Sequence, residues 1–395
     1  MNGFKRICAA LLGGVFFISG VLKLMDPTGT SLIVGEYFKF FFRAFPPAVL
    51  CMTVGIVLSL IETLTGAALI TGIRRKATAA VSAFLLIFFT VITLILLIAN
   101  PTMDCGCFGE ALHLTHLQSF LKNLVLIALW CIAFIPLKDL GEPRKVKYVS
   151  FGIAAVSVLL FMLYSLLGIP LVDFTSMKPG TGLLGASDPV VDDTVAYIYE
   201  KDGREGAFTT DCPPDSSWTF VREQRYDQGL VDEEENPEVP LSFSDAAGEY
   251  ADSLATDGQV LLVSSFSPAK LSDKQIARIN DLFAAAREKG FTPLLLAASD
   301  PDSIAGELGD QALLPLTFFA DRKDLLTLNR ANGGLTFISD GQIIQKWSAR
   351  AYPDSETLDG LLQKEAAETM LRAESRGKIR LQGFLLYTFA VMLLL

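Results

Sequence analysis

The sequence predicts an α-helical membrane bundle followed by an α/β domain outside the membrane. Apolar residues fill 51% of the 395 positions and charged ones 19%, and the mean hydropathy is +0.42. That is too oily for an ordinary soluble chain and too polar for one built only of membrane helices. The mixture separates along the chain. Long uncharged runs occupy Ile7 to about Leu171, and ordinary globular sequence follows from Val172 to Arg380. The second part also alternates strand and helix patterns. The acidic excess behind the net charge of −10 lies there, with Asp232, Glu233, Glu234 and Glu235 in one cluster. An acidic domain of this kind argues against a nucleic-acid partner, because phosphate binding needs clustered Lys and Arg.

A hydrocarbon core of about 30 Å takes about 20 apolar residues as helix. Ala77–Ala99 meets that with no charge at all, and Ile7–Leu24, Ala48–Ile73, Leu117–Leu137 and Tyr148–Leu171 are the other predicted spans. The first follows Lys5 and Arg6 as a signal peptide would, but no small-residue cleavage site comes after it, so it reads as a span. A sixth run, Leu381–Leu395, reaches only roughly 22 Å as helix, short of a full crossing; a tilted anchor and a truncated end are both open.

Basic residues set the expected orientation. Lys5 and Arg6, then Arg74, Arg75 and Lys76, then Lys138, Arg144, Lys145 and Lys147 fall on one side, which becomes the cytoplasm. The loop Asn100–His116 and everything after the fifth span then face outward. In a bacterial inner membrane that side is the periplasm, where disulfides form and persist. The first outward loop, "DPTGTSLIVGEYFKFFFRAFPP", carries Phe38, Phe40, Phe41, Phe42 and Phe45, suited either to a short interfacial helix or to a loop repacked on the bundle.

After Leu171, "KPGTGLLGASDP" reads as a linker and "TVAYIYEKDGREGAFTT" as a hairpin, followed by an excursion to Pro240. The next unit has a clear rhythm. "QVLLVSSF" is a strand, and "SDKQIARINDLFAAAREKG" a helix with Ser272 as N-cap and Gly290 at its end. Then come the strand "FTPLLLAAS", the short helix "DPDSIAGELGD", the strand "LTFFAD", two strands joined at Asp340-Gly341, and the helix "SETLDGLLQKEAAETMLRAE". This β-α-β-α-β-β-α order is that of thioredoxin-like folds. The loop that would carry Cys-x-x-Cys reads "SFSPAKLSDK", and Gly333 and Gly334 stand where a cis-proline is usual. The predicted organisation is 1–140 as a four-helix membrane domain and 141–171 as a fifth span. Residues 172–258 are a linker with a β-rich excursion, 259–376 a thioredoxin-like domain without Cys-x-x-Cys, and 381–395 a C-terminal anchor.

Three motifs carry a resemblance: "GGVFFISGVLKLMDPTG", Glu62 followed by "TLTGAALITGIRR", and "DCGCFGEAL". Together they resemble the DoxX/MauE-like family of integral membrane proteins, the latter named for methylamine utilisation, over about residues 1–140. The outward half resembles the thioredoxin-like domain appended in one branch of that family, although a proline is expected there in place of Gly333. The resemblance implies a four-helix core laid out like membrane thiol oxidoreductases, and a part in maturing disulfide-rich periplasmic clients.

The loop "NPTMDCGCFGEALHLTH" holds two of the six cysteines and both histidines. Cys105 and Cys107 can close only a small, strained ring, which favours an oxidising or labile pair over a staple. Gly106 and Gly109 permit the tight backbone, while Asp104 favours the thiol over the thiolate. A structural disulfide remains open, as does a metal site of Cys105, Cys107, His113 and His116. Glu62, placed mid-membrane, reads either as a proton or quinone-binding site or as a helix–helix hydrogen bond satisfied by Thr63, Thr65 or a neighbouring hydroxyl. Lys23 reads as a snorkelling anchor and Asp26 as part of a helix-ending turn. Cys212 is an exchange partner or a lone thiol; Cys8, Cys51 and Cys131 read as packing residues. The expected function is periplasmic thiol–disulfide redox through Cys105 and Cys107, with a client protein and a quinone-like electron acceptor. The rival is a non-catalytic scaffold or assembly factor, for which the CGC loop is a clip. Transport is disfavoured because Glu62 is nearly alone as a deep charge and no inverted repeat is visible.

Overall fold

The computed structural model describes residues 3–44, 46–103, 105–136, 145–183, 195–201, 204–208, 219–225, 241–363 and 365–394. Among them six helices are long and apolar enough to cross a membrane: α1 (Gly3–Met25), α3 (Ala48–Thr71), α4 (Arg75–Ala99), α5 (His116–Phe134), α6 (Lys145–Leu167) and α11 (Ala366–Leu394). The five predicted spans are thus present. The first aromatic loop resolves as a helix, α2 (Pro27–Phe42), which starts on an Asp26 cap with proline at its first position.

Small residues set the spacing of the bundle. A Cβ on Gly66 of α3 would lie 2.4 Å from the Phe17 backbone nitrogen of α1, and one on Gly20 would lie 2.1 Å from the Thr63 hydroxyl. Gly13 likewise meets the Gly66 carbonyl at 2.7 Å. Only glycine lets the two backbones come this close, and without a hydrophobic force between helices in lipid, such close packing is what holds them together.

The sixth apolar run is not the short element its length suggests. It is the second half of α11, which begins at Ala366 and would extend roughly 43 Å over its 29 residues. The sequence reads its polar first half as the end of a soluble helix, but α10 (Ser355–Gln363) stops before it and α11 runs on from polar to apolar without a break. Ser150 at the start of α6 donates to the Val391 carbonyl at 2.6 Å, Lys147 reaches the Met392 and Leu393 carbonyls at 3.3 Å, and Phe161 stacks on Phe384 with centroids 4.4 Å apart. A lysine at orphan helix-end carbonyls complements the negative end of the dipole.

The outer part contains two sheets. The hairpin forms as β2 (Val195–Lys201) and β3 (Arg204–Phe208), and β4 (Thr219–Arg225) joins it on the other side of β2. The larger sheet is mixed. It consists of β5 (Phe243–Ser244), β6 (Gln259–Ser265), β7 (Thr292–Ala297), β8 (Thr317–Ala320), β9 (Gly334–Ser339) and β10 (Gln342–Trp347), in the order β10-β9-β6-β7-β8-β5. Strands β6, β7 and β8 run parallel, and β9 pairs antiparallel with both β6 and β10. The central strand β6 is buried on both faces, Leu261 and Val263 toward one core and Val260 and Leu262 toward the other, which explains its unbroken apolar reading. Helix α7 (Asp273–Glu288) carries the expected Ser272 cap, closed as a capping box with Gln275, and Gly290 follows it at φ +87°. Asp340 and Gly341, both at positive φ, make the two-residue turn between β9 and β10. One element departs from the expected order: besides α8 (Ile304–Leu308), a seven-residue helix α9 (Arg322–Leu328) lies between β8 and β9, started by Asp321 capping the Lys323 amide. It is too short to display a helical period in the sequence.

The α1–α3 contact makes a direct test. Gly66→Val forces a side chain into the Phe17 backbone and should cost roughly 3 kcal/mol of stability, whereas Gly152→Ala on α6, where a Cβ meets nothing within 4 Å, should cost little. Thermal unfolding of the two purified variants separates them.

Candidate functional site

The close approach of α1 and α3 sets two charged side chains against each other. Lys23 Nζ lies 2.7 Å from Glu62 Oε2, and both residues are buried. The snorkelling expectation for Lys23 is therefore wrong: it turns inward to a carboxylate 39 positions away, and its ammonium also lies 5.3 Å from the Phe89 ring centre. Nor do Thr63 and Thr65 satisfy Glu62, because both hydroxyls bond to carbonyls of their own helix. Its other oxygen, Oε1, meets the Ser19 hydroxyl of α1 at 2.7 Å. Ser19 Oγ is also 2.6 Å from the Cys107 carbonyl, so the deep ion pair and the CGC loop share one hydroxyl.

The loop is held from several sides. Gly106 and Gly109 take φ of +57° and +62°, and a Cβ on Gly106 would fall 2.5 Å from Ile33 of α2, so both the backbone turn and the close contact require glycine. Residues Cys107–Glu110 then form a short strand, β1. Tyr37 of α2 donates to the Cys105 carbonyl at 2.6 Å, and burial holds its phenol well above the ordinary range, fully protonated as a donor. Lys122 of α5 lies 4.9 Å from the Phe108 ring centre.

Cys105 and His116 meet. The Cys105 sulfur lies 2.9 Å from His116 Nδ1, and His116 Nε2 lies 3.0 Å from the Pro101 carbonyl. A carbonyl only accepts, so Nε2 carries a hydrogen, and Nδ1 of the neutral ring is left to accept from the thiol. His116 is the first residue of α5, fixed there by the Thr115–Gln118 capping box. Cys105 is buried and Cys107 half-buried, and their sulfurs are not joined to each other in this structure. Of the four residues in the metal reading, the structure joins Cys105 and His116; among the described residues no group of three or more His, Cys, Asp or Glu converges on a point. Cys212 and Asp104 lie outside the described residues.

Beneath the loop is a cavity of about 410 Å³. Its walls are mostly apolar, with Ile33, Phe38 and Phe41 from α2 and Phe88, Phe89 and Ile92 from α4. Lys23 and Glu62 line it as its charged pair, and Cys105 and Cys107 line it from the loop. The three groups that the sequence offers separately thus border one space.

The family comparison covers this same region. Residues 1–136 match the family model described as Methylamine utilisation protein MauE. Over those residues the chain is similar to the MauE family of membrane proteins. Residues 194–226 match a second model, a domain of unknown function (DUF8463), and no curated protein or solved structure matches the chain.

The membrane domain is joined to the larger sheet through one arginine. Arg330, just after α9, places Nε 2.9 Å from Asp26 Oδ2 and Nη2 2.6 Å from Glu110 Oε1; the second is an ion contact without hydrogen-bond alignment. Its Nη1 donates to the Leu326 carbonyl. Asp26 serves twice, since Oδ1 accepts from the Gly29 amide at the start of α2. Asn329 props the arginine loop by donating to the Leu335 and Trp347 carbonyls, in a space that any Cβ on Gly334 would fill. Burial works against the Arg330 charge, but Asp26 and Glu110 more than offset it and hold the guanidinium above its ordinary range. At Glu110 burial outweighs the pull of Arg330 and the carboxyl is raised.

Two outcomes follow from these charges. Lys23→Met strands the Glu62 carboxylate and should cost about 3–5 kcal/mol, whereas Lys23→Met with Glu62→Gln should recover most of the loss, read by thermal unfolding. A raised Glu110 binds its proton more tightly folded than unfolded. Its contribution to stability is therefore complete below pH 4.5 and is lost as pH rises through the folded value. Glu110→Gln should remove that decline when melting is followed from about pH 4 to about pH 7.

Proposed function

We propose that this protein exchanges thiols and disulfides through Cys105 and Cys107 on the outer face of a bacterial inner membrane. The observation that carries the reading is the contact of the Cys105 sulfur with His116 Nδ1, above a cavity that opens into the membrane domain. The distribution of basic residues supports a cytoplasmic N-terminus and an outward loop, the side on which a client protein with thiols would be met. The mixed sheet supports a thioredoxin-like binding module. It keeps the parallel β6-α7-β7 unit and the antiparallel β9–β10 pair, yet carries no cysteine where exchange would occur.

Burial assigns the roles. Half-buried Cys107 is the sulfur that a client thiolate reaches in the oxidised pair. Attack there forms a client–Cys107 disulfide and releases Cys105 as a thiolate, which takes up the proton that the client thiol gave off and, as a thiol, donates to His116 Nδ1. A second client thiolate attacks the client sulfur of that bond and frees Cys107, so the client leaves oxidised and the pair is left as two thiols. Reoxidation needs a two-electron acceptor. The cavity fits a lipid quinone: its walls admit an apolar ring and its Lys23–Glu62 pair offers polar contact. Bound there, a quinone would take two electrons and two protons to become the quinol. His116 begins that step by drawing the proton from Cys105.

A scaffold reading draws on one observation, the tethering of both cysteine carbonyls by Tyr37 and Ser19. Acid-trapped thiol labelling in native membranes separates the two. Exchange predicts a mixture of oxidised and reduced Cys105–Cys107, capture of a disulfide-bearing client by the Cys107 thiolate in Cys105→Ser, with one client sulfur leaving as thiolate, and at least about tenfold slower alkylation of Cys105 in His116→Asn. A bond fully oxidised and resistant to mild reductant would leave only the clip.

A further inference from the structure

A second cavity, of about 470 Å³, lies where α6, α11 and the outer sheet meet. Tyr164 and Leu167 at the end of α6 line it and are about half exposed. Opposite them, Gly377 packs α11 against the Leu171 carbonyl so closely that a Cβ there would lie 1.8 Å from it. That contact aims Arg376 and Arg380 at the same space. Arg380 is the last charge before the apolar half of α11, and Tyr164 is the kind of side chain that marks a membrane interface, so the cavity sits at headgroup depth.

The charges of this cavity are not balanced. Lys346 pairs with Asp173 at 2.6 Å, Arg330 with Asp26 and Glu110, and Glu374 with Lys378. On α11 Arg372 is likewise neutralised by Glu368. Arg376, Arg380 and Lys178 line the cavity, and among the described residues none of the three has an acidic partner. The two α11 cations that face away from the cavity are thus paired with glutamates, and the two that face it are not.

We propose that this cavity binds the headgroup of an acidic phospholipid. The guanidinium groups of Arg376 and Arg380, one helical turn apart, take the phosphate oxygens, Lys178 takes the remaining negative charge, and Tyr164 and Leu167 carry the upper acyl chain. The lipid would fill the seam between the bundle and the outer sheet. This site is separate from the thiol cavity and does not depend on the exchange reading.

The test uses the full-length protein, stripped of lipid in detergent and titrated with phosphatidylglycerol, phosphatidylcholine or inorganic phosphate, with bound ligand counted by native mass spectrometry. The expected result is one saturable phosphatidylglycerol, bound more tightly than phosphatidylcholine and not replaced by inorganic phosphate. Arg376→Gln with Arg380→Gln should weaken it roughly thirtyfold, at about one tenfold step per 1.4 kcal/mol and about 1 kcal/mol per interfacial cation. Arg372→Gln, which removes an already paired cation from the same helix, should leave it nearly unchanged. Equal binding of the two lipids by the native protein overturns the proposal whatever the variants do. So does inorganic phosphate binding as tightly as phosphatidylglycerol, which would mean a free-anion site, or a double variant that binds like Arg372→Gln.

Discussion

The structure depends on an ion pair placed where ion pairs are expensive. Lys23 and Glu62 meet inside the bundle, and each repays the desolvation of the other only because α1 and α3 lie at glycine-to-backbone distance. Once they are paired, the Ser19 hydroxyl is left between the Glu62 carboxylate and the Cys107 carbonyl, and the depth of the loop over the bundle is fixed. The thiol loop thus rests on a polar floor inside an apolar cavity. A carboxylate without its lysine would draw water or protons into the bundle, and the loop would lose its support.

A second set of charges joins the two halves of the protein. Arg330 stands between two carboxylates of the membrane domain, one capping α2 and the other ending the strand that begins at Cys107. The outer sheet therefore contributes a cation, not a thiol, to the neighbourhood of the loop. The burial of Lys346 against Asp173 repeats this pattern nearby, with burial pushing the lysine down and the carboxylate opposing it. Two buried pairs across one seam give it directional specificity, which apolar packing alone does not provide.

Much of the architecture is legible in the sequence because it is periodic. The long apolar runs, the Ser272 cap and the Asp340-Gly341 turn each carry their signal within a few residues. The site is legible only in pieces. Cys105, Cys107 and Glu62 stand out as costly or reactive side chains, but their convergence depends on Gly13, Gly20 and Gly66, whose role is spatial. Lys23 reads as an anchor because it lies near a helix end, where a flexible lysine ordinarily reaches water; a partner on another helix leaves no local mark. Among the four residues of the metal reading, the histidine that touches a cysteine does so through a helix start, and the Thr115–Gln118 box in the sequence is the signal that could have placed it. The continuity of α11 was hidden for another reason. Its first half is polar and its second apolar, so no single amphipathic pattern spans them.

The Arg330 bridge also has a bearing on when the site is completed. Asp26 and Glu110 are synthesised early, and the arginine that separates their charges follows Asp26 by 304 positions. Until it arrives, two carboxylates stand side by side at the mouth of the thiol loop and repel each other. During translation the membrane bundle precedes its own counter-ion, so Asp26 and Glu110 can meet their cation only once Arg330 has been made. Cys105 and Cys107 are thereby synthesised well before the cation that neutralises the two carboxylates beside their loop.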